Sequence, residues 1–349
     1  MQAIDMEATV QVASRKITES QVIFLVWAAP TFGSVRSRLL AKELQMPAPI
    51  YFYSTRWKGA WTAPLRYMFH GMQTLRLLFQ KRPRVVIVQS PPSFAVLFVA
   101  LYCKMTNSRY VIDAHSDAFQ RGIWTRPQWL YDRITRGAAL TLVTDEFFRS
   151  MIEKKGGRVM VLRDPVATTP LSPIQRQEQF SVTVVNTFAR DEPLEAVLQA
   201  AAGLPDVRFS ITGKLSRANP DLLRQAPSNA VFTDFLPDEA YYRLLRSSDA
   251  VMSLTTRDHT LQCGACEALS LERPIITSAW PLLQEYFCRG TVHVDNTPAG
   301  IRQGIESLKQ DYNRYEAEVV ELRKMRRQEW QQQTAELADL ILGIKSAPV

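Results

Sequence analysis

Short runs of apolar, often β-branched residues recur along the chain, and segments with helical spacing of apolar and polar positions separate them. Twelve runs are present, at residues 22–27, 50–53, 85–88, 110–112, 140–143, 159–162, 181–186, 207–212, 230–233, 250–254, 274–277 and 291–294. Buried strands that alternate with helices are typical of parallel α/β sheets. The pattern therefore predicts an α/β protein with two doubly wound, Rossmann-like domains.

The two series of strands are joined by a stretch without periodicity. Residues 164–179 hold three prolines among polar side chains, as linkers do. We predict a first domain over residues 1–168, a linker over 169–179 and a second domain over 180–311. Residues 312–349 have the pattern of a highly charged helix. This helix either packs back on the first domain or is an ordinary solvated helix.

The composition is that of a globular protein, with 46% hydrophobic and 22% charged residues in 349. The N-terminal segment lacks an apolar signal core, and no apolar run reaches the roughly 18 residues that a spanning helix needs. The four scattered cysteines do not form a disulfide framework. We therefore expect a cytoplasmic protein.

Charge is distributed unevenly between the halves. Residues 1–165 contain 23 Lys and Arg against 11 Asp and Glu, whereas the rest of the chain contains 19 against 23. This asymmetry favours two domains with different partners. A basic half suits nucleic acid, anionic lipid or an anionic substrate, and charge alone does not choose among them.

The segment 253–285 carries the most specific chemistry in the chain. An apolar strand ends near Leu254, a polar loop follows, and the chain tightens at Gly264 to open a helix with a single acid, Glu267. A helix start offers free N–H groups and a positive dipole end to a phosphate, and a carboxylate one turn further suits a ribose diol. The segment therefore predicts a seat for a nucleoside diphosphate.

Cys263 and Cys266 flank this glycine with the spacing of a redox pair. A thioredoxin-type motif would need its own small βαβ unit, and a zinc site would need two further ligands that Cys103 and Cys288 do not supply at a suitable spacing. We expect small, half-buried cysteines that pack the helix start, and no metal site.

Ionisable side chains also follow a strand of the first half. Residues 110–117, YVIDAHSD, end in Asp113, His115 and Asp117. Such groups at the carboxyl end of a strand lie where active sites form. The alternative is an acid that caps a helix beside a surface histidine.

The loop after the first strand is a further candidate for anion binding. Gly33 precedes a helical pattern and suits a tight turn with open N–H groups, and Arg36 and Arg38 follow it. The loop lacks both the G-x-G-x-x-G fingerprint and the Walker sequence. NAD and P-loop ATP sites are therefore not favoured.

The segment 253–285 resembles the donor-site segment of family-4-type glycosyltransferases, which have the GT-B fold of two Rossmann-like domains facing a central cleft. Their pattern is Glu, seven residues, Glu, then a Gly/Ala-rich helix and a Pro-Ile/Val strand. Glu267 stands at the second Glu. The first Glu would fall at position 259, where this chain has His259 preceded by Asp258.

The resemblance implies a role for each candidate residue. Glu267 would hold the ribose, beside Cys263 and Gly264 at the helix start. Arg190, in the first loop of the second domain, and Lys214, in the next loop, would neutralise the diphosphate, and Gly33 would border the donor or acceptor. The resemblance places His115 at the donor sugar or the leaving phosphate, and His259 or Asp258 near the transferred sugar. Apart from the resemblance, Asp113 or Asp117 could serve as the base toward the acceptor hydroxyl.

The activity implied by the resemblance is transfer of a hexose from a nucleotide-diphosphate sugar to an acceptor hydroxyl. The reaction would be metal-independent, would need no cofactor beyond the donor and would retain the anomeric configuration, although His259 at the expected acid leaves inversion open. The glycan or lipid-linked acceptor would belong to bacterial exopolysaccharide or lipopolysaccharide assembly. The base, the sugar, the acceptor and the oligomeric state stay open at this point.

Residues 56–84 interleave basic and large aromatic side chains. Such a stretch suits the surface of an anionic membrane and predicts peripheral attachment to the inner face of the cytoplasmic membrane. The alternative is an aromatic stripe that faces the core beside a solvated basic face. No nucleic-acid motif accompanies the stretch, so nucleic acid is not an expected partner.

Two other functions fit the same fold. A nucleotide-sugar epimerase would bind the same donor without an acceptor. A catalytically silent GT-B protein would bind a nucleotide or a partner without turnover, and His259 at the position of the expected acid favours this alternative.

Overall fold

The computed structural model describes residues 21–29, 35–53, 61–120, 122, 125–164, 166 and 178–346. Among these residues, no helix has the combined length and apolarity that crossing a membrane requires. The predicted linker and Gly33 lie mostly or wholly outside the described ranges, so the predicted domain limits stay predictions.

The first half contains a parallel sheet of six strands in the order β2-β1-β3-β4-β5-β6. Its strands are β1 Val22–Val26, β2 Ile50–Tyr51, β3 Val85–Ser90, β4 Arg109–Ala114, β5 Leu140–Val143 and β6 Val159–Val161. The central strands β1 and β3 are buried throughout and mostly apolar because helices cover both faces of the sheet. The strand order reverses between β1 and β3, so the loops that follow these two strands diverge there and leave a crevice.

Among the described residues of this half, the helices are α1 Val35–Glu43, α2 Ala63–Lys81, α3 Ser93–Thr106, α4 Asp117–Gln120, α5 Gln128–Gly137 and α6 Glu146–Glu153. Leu78 of α2, Val99 of α3 and Ile134 of α5 share one core with the sheet. Leu40 of α1 lies in the core on the opposite face. Helices α2 and α3 therefore form an outer layer on one side of the sheet.

The second half contains another parallel six-stranded sheet, in the order β12-β11-β10-β7-β8-β9. Its strands are β7 Ser181–Val184, β8 Arg208–Thr212, β9 Ala230–Asp234, β10 Ala250–Ser253, β11 Ile275–Ser278 and β12 Thr291–Val294. The strand order reverses between β7 and β10, which places a crevice beyond their carboxyl ends.

The helices of this half lie on both faces of the sheet. They are α7 Leu194–Ala202, α8 Pro220–Arg224, α9 Asp238–Ser247, α10 Cys263–Ser270, α11 Pro281–Tyr286 and α12 Pro298–Gln310. Val197 of α7 and Ile301 of α12 share one core, and Leu269 of α10 and Leu283 of α11 share the other. The predicted α/β class with two doubly wound sheets is therefore confirmed.

The last helix, α13 Tyr312–Ser346, contributes to the cores of both halves. Val319 and Leu322 pack in the core that contains α10 and α11. Trp330 and Leu337 pack further along against strands of the first sheet. The helix is thus a rigid connection between the two sheets.

Candidate functional site

The carboxyl ends of the two sheets meet at a cleft whose central cavity measures about 230 Å³. Loops that follow β3, β4, β5 and β6 line it from the first half, and the segment leading into α10 lines it from the second. The lining residues are Gln89, Pro91, His115, Ser116, Asp117, Thr144, Asp164, Leu261 and Cys263. Among the predicted site residues, the cavity therefore brings together His115, Asp117 and Cys263.

Helix α10 starts at the strand-order reversal of the second sheet because Gly264 allows a close approach. A Cβ at this position would lie 2.7 Å from Val185 Cβ and 2.9 Å from Ser253 Oγ, which is closer than real side chains pack. Any larger residue would push the helix start away from the ends of β7 and β10. The glycine is therefore required by packing against the sheet and not by its backbone angles.

Glu267 lies one turn into α10, half-buried, and has a single partner among the described side chains. Tyr241 Oη of α9 donates a hydrogen bond to Glu267 Oε2 at 2.5 Å. Burial raises the pKa of Glu267 to about 7, although the hydrogen bond from Tyr241 opposes the rise. The carboxylate thus has one oxygen oriented by Tyr241 and one available to a ligand.

The two cysteines of α10 differ in exposure. Cys266 is buried, as expected for packing, and burial raises the pKa of its thiol well above the usual value. Cys263 is exposed at the cleft, contrary to the prediction of a half-buried packing residue. The reason is its place in the first turn of α10, where the side chain points into the cavity.

Arg190 and Lys214 follow neighbouring strands of the second sheet and are both exposed. Arg190 follows β7, in a loop that Glu192 organises by accepting hydrogen bonds from the N–H groups of Thr187 and Ala189, both at 2.8 Å. Neither Arg190 nor Lys214 forms an ion pair with a carboxylate of the described residues. Both cations remain available at the edge where α10 begins.

Gly213 brings the loop after β8 close to the loop after β7. It has a φ of +119°, and a Cβ there would lie 2.4 Å from the Asn186 carbonyl oxygen. Only glycine fits this conformation and this distance. The close approach places the loops of Arg190 and Lys214 side by side.

Asp113 is a buried structural acid, which corrects its prediction as a catalytic candidate. Arg36 Nε donates to Asp113 Oδ1 at 3.0 Å, and Arg36 Nη1 donates to Asp164 Oδ1 at 3.0 Å. Although burial opposes ionisation, Arg36 and His115 hold the pKa of Asp113 well below its usual value. Asp113 is fully shielded from solvent, so it does not reach an acceptor, and Arg36 is equally unavailable to an external anion.

His115 lies at the carboxyl end of β4 with its ring at the cavity. Its Nε2 is 3.5 Å from Asp113 Oδ2, and its backbone N–H donates to the Ser90 carbonyl at 2.9 Å. The buried ion pair of Asp113 with Arg36 thus forms the floor beneath the histidine. His115 presents its ring to any molecule bound in the cleft.

The loop between β10 and α10 is bound to the first domain. Gln120 Nε2 of α4 donates to the Asp258 carbonyl and to Thr260 Oγ1, both at 2.9 Å. Arg257 lies between Asp117, at 3.4 Å, and Asp191, at 3.0 Å. Asp117 is therefore engaged in an ion pair across the cleft, although it lines the cavity.

His259 is held by the first domain, and its predicted place beside the sugar stays a prediction. Its Nδ1 lies 2.5 Å from Asp145 Oδ2, and its ring stacks on Phe147 at a centroid distance of 4.1 Å. Asp258 Oδ1 accepts the His259 N–H at 2.6 Å, and its other oxygen lies 3.7 Å from His259 Nε2. The loop thus closes one end of the cleft and does not line the cavity with these side chains.

Sequence reasoning missed Tyr241, Arg257, Asp145 and Gln120. Arg257 directly precedes Asp258, and a cation beside two candidate site residues was a local signal from which its ion pairs at the cleft could have been predicted. Asp145 lies 114 residues from His259 in sequence, and Gln120 lies 140 residues from Thr260, so no local pattern connects them.

Gly33 lies outside the described residues. A search for three or more potential metal ligands in the described part of the chain finds no cluster.

Comparisons with known proteins agree with this architecture. Residues 190–337 match a family model described as glycosyl transferase-like. A search of curated proteins finds no match to the chain.

Solved structures similar to the chain share low sequence identity but nearly full length. Sucrose-phosphate synthase of Thermosynechococcus elongatus has a TM-score of 0.76 at 12% identity, covering 94% of this chain and 100% of that one. Anabaena HepE, solved in complex with UDP and glucose, has a TM-score of 0.66 at 12% identity, covering 91% and 99%.

A third similar structure is a putative UDP-N-acetylglucosamine 2-epimerase of Listeria monocytogenes. It has a TM-score of 0.62 at 10% identity and covers 87% of this chain and 91% of that one. The glycosyltransferases among these structures confirm the predicted fold. The chain has the GT-B fold, and residues 190–337 are similar to the glycosyl transferase-like family.

Proposed function

We propose that the protein is a glycosyltransferase of the family-4 type that uses a nucleotide-diphosphate sugar. The observation that carries this proposal is the start of α10, where Gly264 packs against the ends of β7 and β10 and Glu267 lies one turn further in. Phosphate oxygens suit the free N–H groups there, and a ribose diol suits the Glu267 oxygen that Tyr241 leaves available.

The charges around the helix start support a diphosphate as the leaving group. Arg190 and Lys214 are exposed on adjacent loops of the same edge. Cations placed where negative charge develops stabilise the transition state most in a site that excludes water. We assign Arg190 and Lys214 to the diphosphate, and Glu267 to the ribose.

The reaction forms a bond between the acceptor oxygen and the anomeric carbon as the bond from that carbon to the diphosphate breaks. In the retaining scheme, the acceptor proton passes to the departing phosphate oxygen on the same face of the sugar. His115 hydrogen-bonds the sugar or the phosphate from the first domain. The proposal needs no metal and no cofactor beyond the donor.

The acceptor is proposed to be a hydroxyl of a glycan or of a lipid-linked sugar, as in bacterial polysaccharide assembly at the cytoplasmic face of the membrane. The support for this step is the basic first half, with 23 Lys and Arg against 11 Asp and Glu in residues 1–165. A basic domain attracts acceptors that carry phosphate.

A nucleotide-sugar epimerase is a second candidate, favoured by the similarity to the Listeria structure. An epimerase would isomerise the donor with no acceptor present. A silent binding protein is favoured by His259, which the bond to Asp145 keeps out of the cavity. A silent protein would bind nucleotide without releasing or isomerising sugar.

The first experiment is a thermal-shift panel of UDP, GDP, ADP, CMP, dTDP and NAD on the wild type, Glu267→Ala and the exposed-acid control Glu321→Gln. A ligand at 100 times its dissociation constant stabilises the folded state by about 2.7 kcal/mol. We expect one nucleoside diphosphate to stabilise the wild type and the control but not Glu267→Ala. Equal stabilisation of all three proteins would remove Glu267 from the site.

The second experiment incubates the matching nucleotide sugars with the protein, with and without acceptors. Acceptor-dependent release of the nucleoside diphosphate supports the transferase. Isomerised donor without acceptor supports the epimerase. Neither product, despite nucleotide binding, supports the silent protein.

A further inference from the structure

A second cavity lies at the amino ends of the strands of the first sheet, on the opposite edge from the cleft. It measures about 450 Å³, within the range of about 300–1,000 Å³ that small-molecule sites occupy. Arg84 and Arg109 line it where the chain enters β3 and β4, and Phe79 and Arg82 line it from the end of α2. Ile344, in the last turn of α13, lines it as well. We call this the amino-edge cavity.

The charge of the amino-edge cavity has one sign. Arg82, Arg84 and Arg109 are all exposed, and none of them forms an ion pair with a carboxylate in the part of the chain that the structure describes. Residues 44–112, which include all three, contain nine Lys and Arg and no Asp or Glu. A guanidinium group stays charged and only donates hydrogen bonds. These three side chains are therefore complementary to an anion.

Compensation of helix dipoles does not account for the three arginines. Helices α2 and α3 both end beside the cavity, and each already has a lysine in its last turn, Lys81 and Lys104. A cation at that place stabilises the negative end of a helix dipole. Arg82 ends α2 through its backbone, with a φ of 49° and an N–H that donates to the Leu78 carbonyl. Its guanidinium group takes no part in this cap.

The loops that carry the arginines are bound to each other. The Arg109 N–H donates to the Arg84 carbonyl at 2.9 Å, which places the two residues side by side at the ends of neighbouring strands. Ser108 Oγ donates to the Pro83 carbonyl at 2.9 Å. The backbone of the cavity is thus fixed in the absence of a ligand, and a ligand needs to order only the side chains.

The number of arginines and the cavity wall specify the class of ligand. Arginine binds a phosphate group through two parallel hydrogen bonds, so three guanidinium groups around one cavity favour a ligand with more than one phosphate. The Phe79 ring, 41% exposed, packs edge-on against Tyr102 at a centroid distance of 5.3 Å and adds an apolar wall. One exposed ring does not provide the series of stacking platforms that single-stranded nucleic acid uses.

We propose that the amino-edge cavity is a binding site for a soluble small molecule that carries two or more phosphate groups. The proposed nucleotide seat lies at the carboxyl ends of the strands of the second sheet, whereas this cavity lies at the amino ends of the strands of the first. Binding at the amino-edge cavity therefore does not depend on the proposed transferase function.

Titration calorimetry of inorganic diphosphate into the full chain, at low ionic strength, tests this site. We expect the wild type to bind diphosphate about tenfold or more tightly than inorganic phosphate, because the second phosphate adds charge-assisted hydrogen bonds. Arg84→Gln/Arg109→Gln should lose about tenfold or more in affinity for diphosphate. Added salt should weaken diphosphate binding by the wild type more steeply than binding by this variant.

The matched control is Arg208→Gln/Arg289→Gln, which removes two exposed cations from the second domain. Arg208 begins β8 as Arg109 begins β4, and both are exposed. Arg289 is exposed, and neither control arginine pairs with a carboxylate of the described residues. The control should bind diphosphate like the wild type. Melting temperatures of both double variants should stay close to that of the wild type, because the changed side chains are exposed.

A third variant, Arg190→Gln/Lys214→Gln, separates this site from the proposed nucleotide seat, because it removes the cations that we assign to the diphosphate there. This variant should keep the diphosphate binding that Arg84→Gln/Arg109→Gln loses. If it loses that binding instead, the anion site lies in the cleft and the proposal is overturned. Diphosphate binding in a chain that no nucleotide stabilises would keep the amino-edge site and remove the nucleotide seat.

Three further results would overturn the proposal. They are equal affinities of the wild type and Arg84→Gln/Arg109→Gln for diphosphate, an equal loss in the control, and attachment to phosphatidylglycerol vesicles without binding of soluble diphosphate. The last result would identify the arginines as contacts to a lipid surface. Equal affinities of the wild type for phosphate and diphosphate would overturn the assigned class of ligand.

Discussion

The two ends of the connection from β10 to α10 are held by different parts of the molecule. At the helix end, Gly264 and Glu267 are positioned by their own domain, through Val185, Ser253 and Tyr241. At the loop end, His259 is positioned by Asp145 and Phe147 of the first domain. The helix end, which we propose binds the nucleotide, is therefore positioned within one domain, whereas the position of the loop end depends on contacts with the other domain.

Because the two ends are positioned differently, changes at each end should affect different steps, ligand binding at one and catalysis at the other. A seat made within one domain binds its ligand whether the cleft is open or closed. A loop that bonds to the opposite domain keeps its position only while the two domains are in contact, so its position would change with any ligand that alters this contact. We infer that changes at the helix end alter nucleotide affinity and that changes at the loop end alter turnover.

The largest effect on stability is expected at Asp113, which lies in the first domain at the base of the cleft. Asp113→Asn leaves the buried Arg36 without its main carboxylate and should lower the free energy of unfolding by about 3–5 kcal/mol. Urea denaturation measures the loss. The control, Asp221→Asn, breaks an exposed pair with Arg224 and should change stability little. A loss at Asp113 no larger than that of the control would contradict the assignment of a structural ion pair.

A smaller loss of stability is expected at Gly264, where a substitution should affect both folding and nucleotide binding. Gly264→Ala should destabilise the fold by about 1–3 kcal/mol, because the added methyl meets Val185 and Ser253, and should weaken nucleotide binding. Gly343→Ala is the control, since a Cβ there meets nothing within 4 Å. Thermal unfolding with and without nucleotide distinguishes the two variants, and an unchanged affinity for Gly264→Ala would argue against the seat.

The protonation of Glu267 provides the next test, with an effect on the order of 2 kcal/mol. Burial raises the pKa of Glu267 from 4.5 to about 7. Its contribution to stability is therefore fully present below about pH 4.5 and is lost as the pH rises through about 7. Glu267→Gln has no such titration, so its stability should rise relative to the wild type across this range. Denaturation curves at several pH values measure the difference, and parallel pH profiles would contradict the buried carboxylate.

The smallest effect on stability is expected at the loop between β10 and α10, in the contact of His259 with Asp145. A double-mutant cycle of His259→Ala and Asp145→Ala should give a coupling free energy of about 1 kcal/mol in stability, since the pair is only partly shielded from solvent. The same variants should leave nucleotide affinity nearly unchanged while lowering the rate of sugar transfer. Additive losses would show that the contact between His259 and Asp145 does not couple the domains in solution.

Those parts of the site whose structure depends on residues close together in the sequence could be predicted. Strand runs with turns between them specified both sheets, and the glycine-to-acid spacing specified the start of α10. Asp113 was misassigned because its partner, Arg36, lies 77 residues away, and burial there converts a candidate base into an ion-paired structural group. The contacts of His259 could not be predicted for the same reason, because the residues that hold it belong to the other domain.

Helix α2 shows a different limit. The basic and aromatic composition of residues 56–84 indicated two alternatives, a core-facing stripe and a membrane surface. The structure contains elements of both, since Leu78 is buried while Trp61 and Leu65 are exposed. Periodicity alone did not separate them because α2 is apolar on two sides.

The most direct test of the account is a calorimetric titration of the stabilising nucleoside diphosphate into the wild type, Glu267→Gln and His259→Ala. At a pH well above the Glu267 pKa of about 7, where the carboxylate is ionised, we expect Glu267→Gln to lose about tenfold or more in affinity, since a hydrogen bond to a charged group is worth about 1.5–3 kcal/mol. We expect His259→Ala to bind within about twofold of the wild type, because its contacts lie on the other domain. Equal affinities for Glu267→Gln and the wild type, or a larger loss in His259→Ala, would contradict the claim that the nucleotide seat is built at α10.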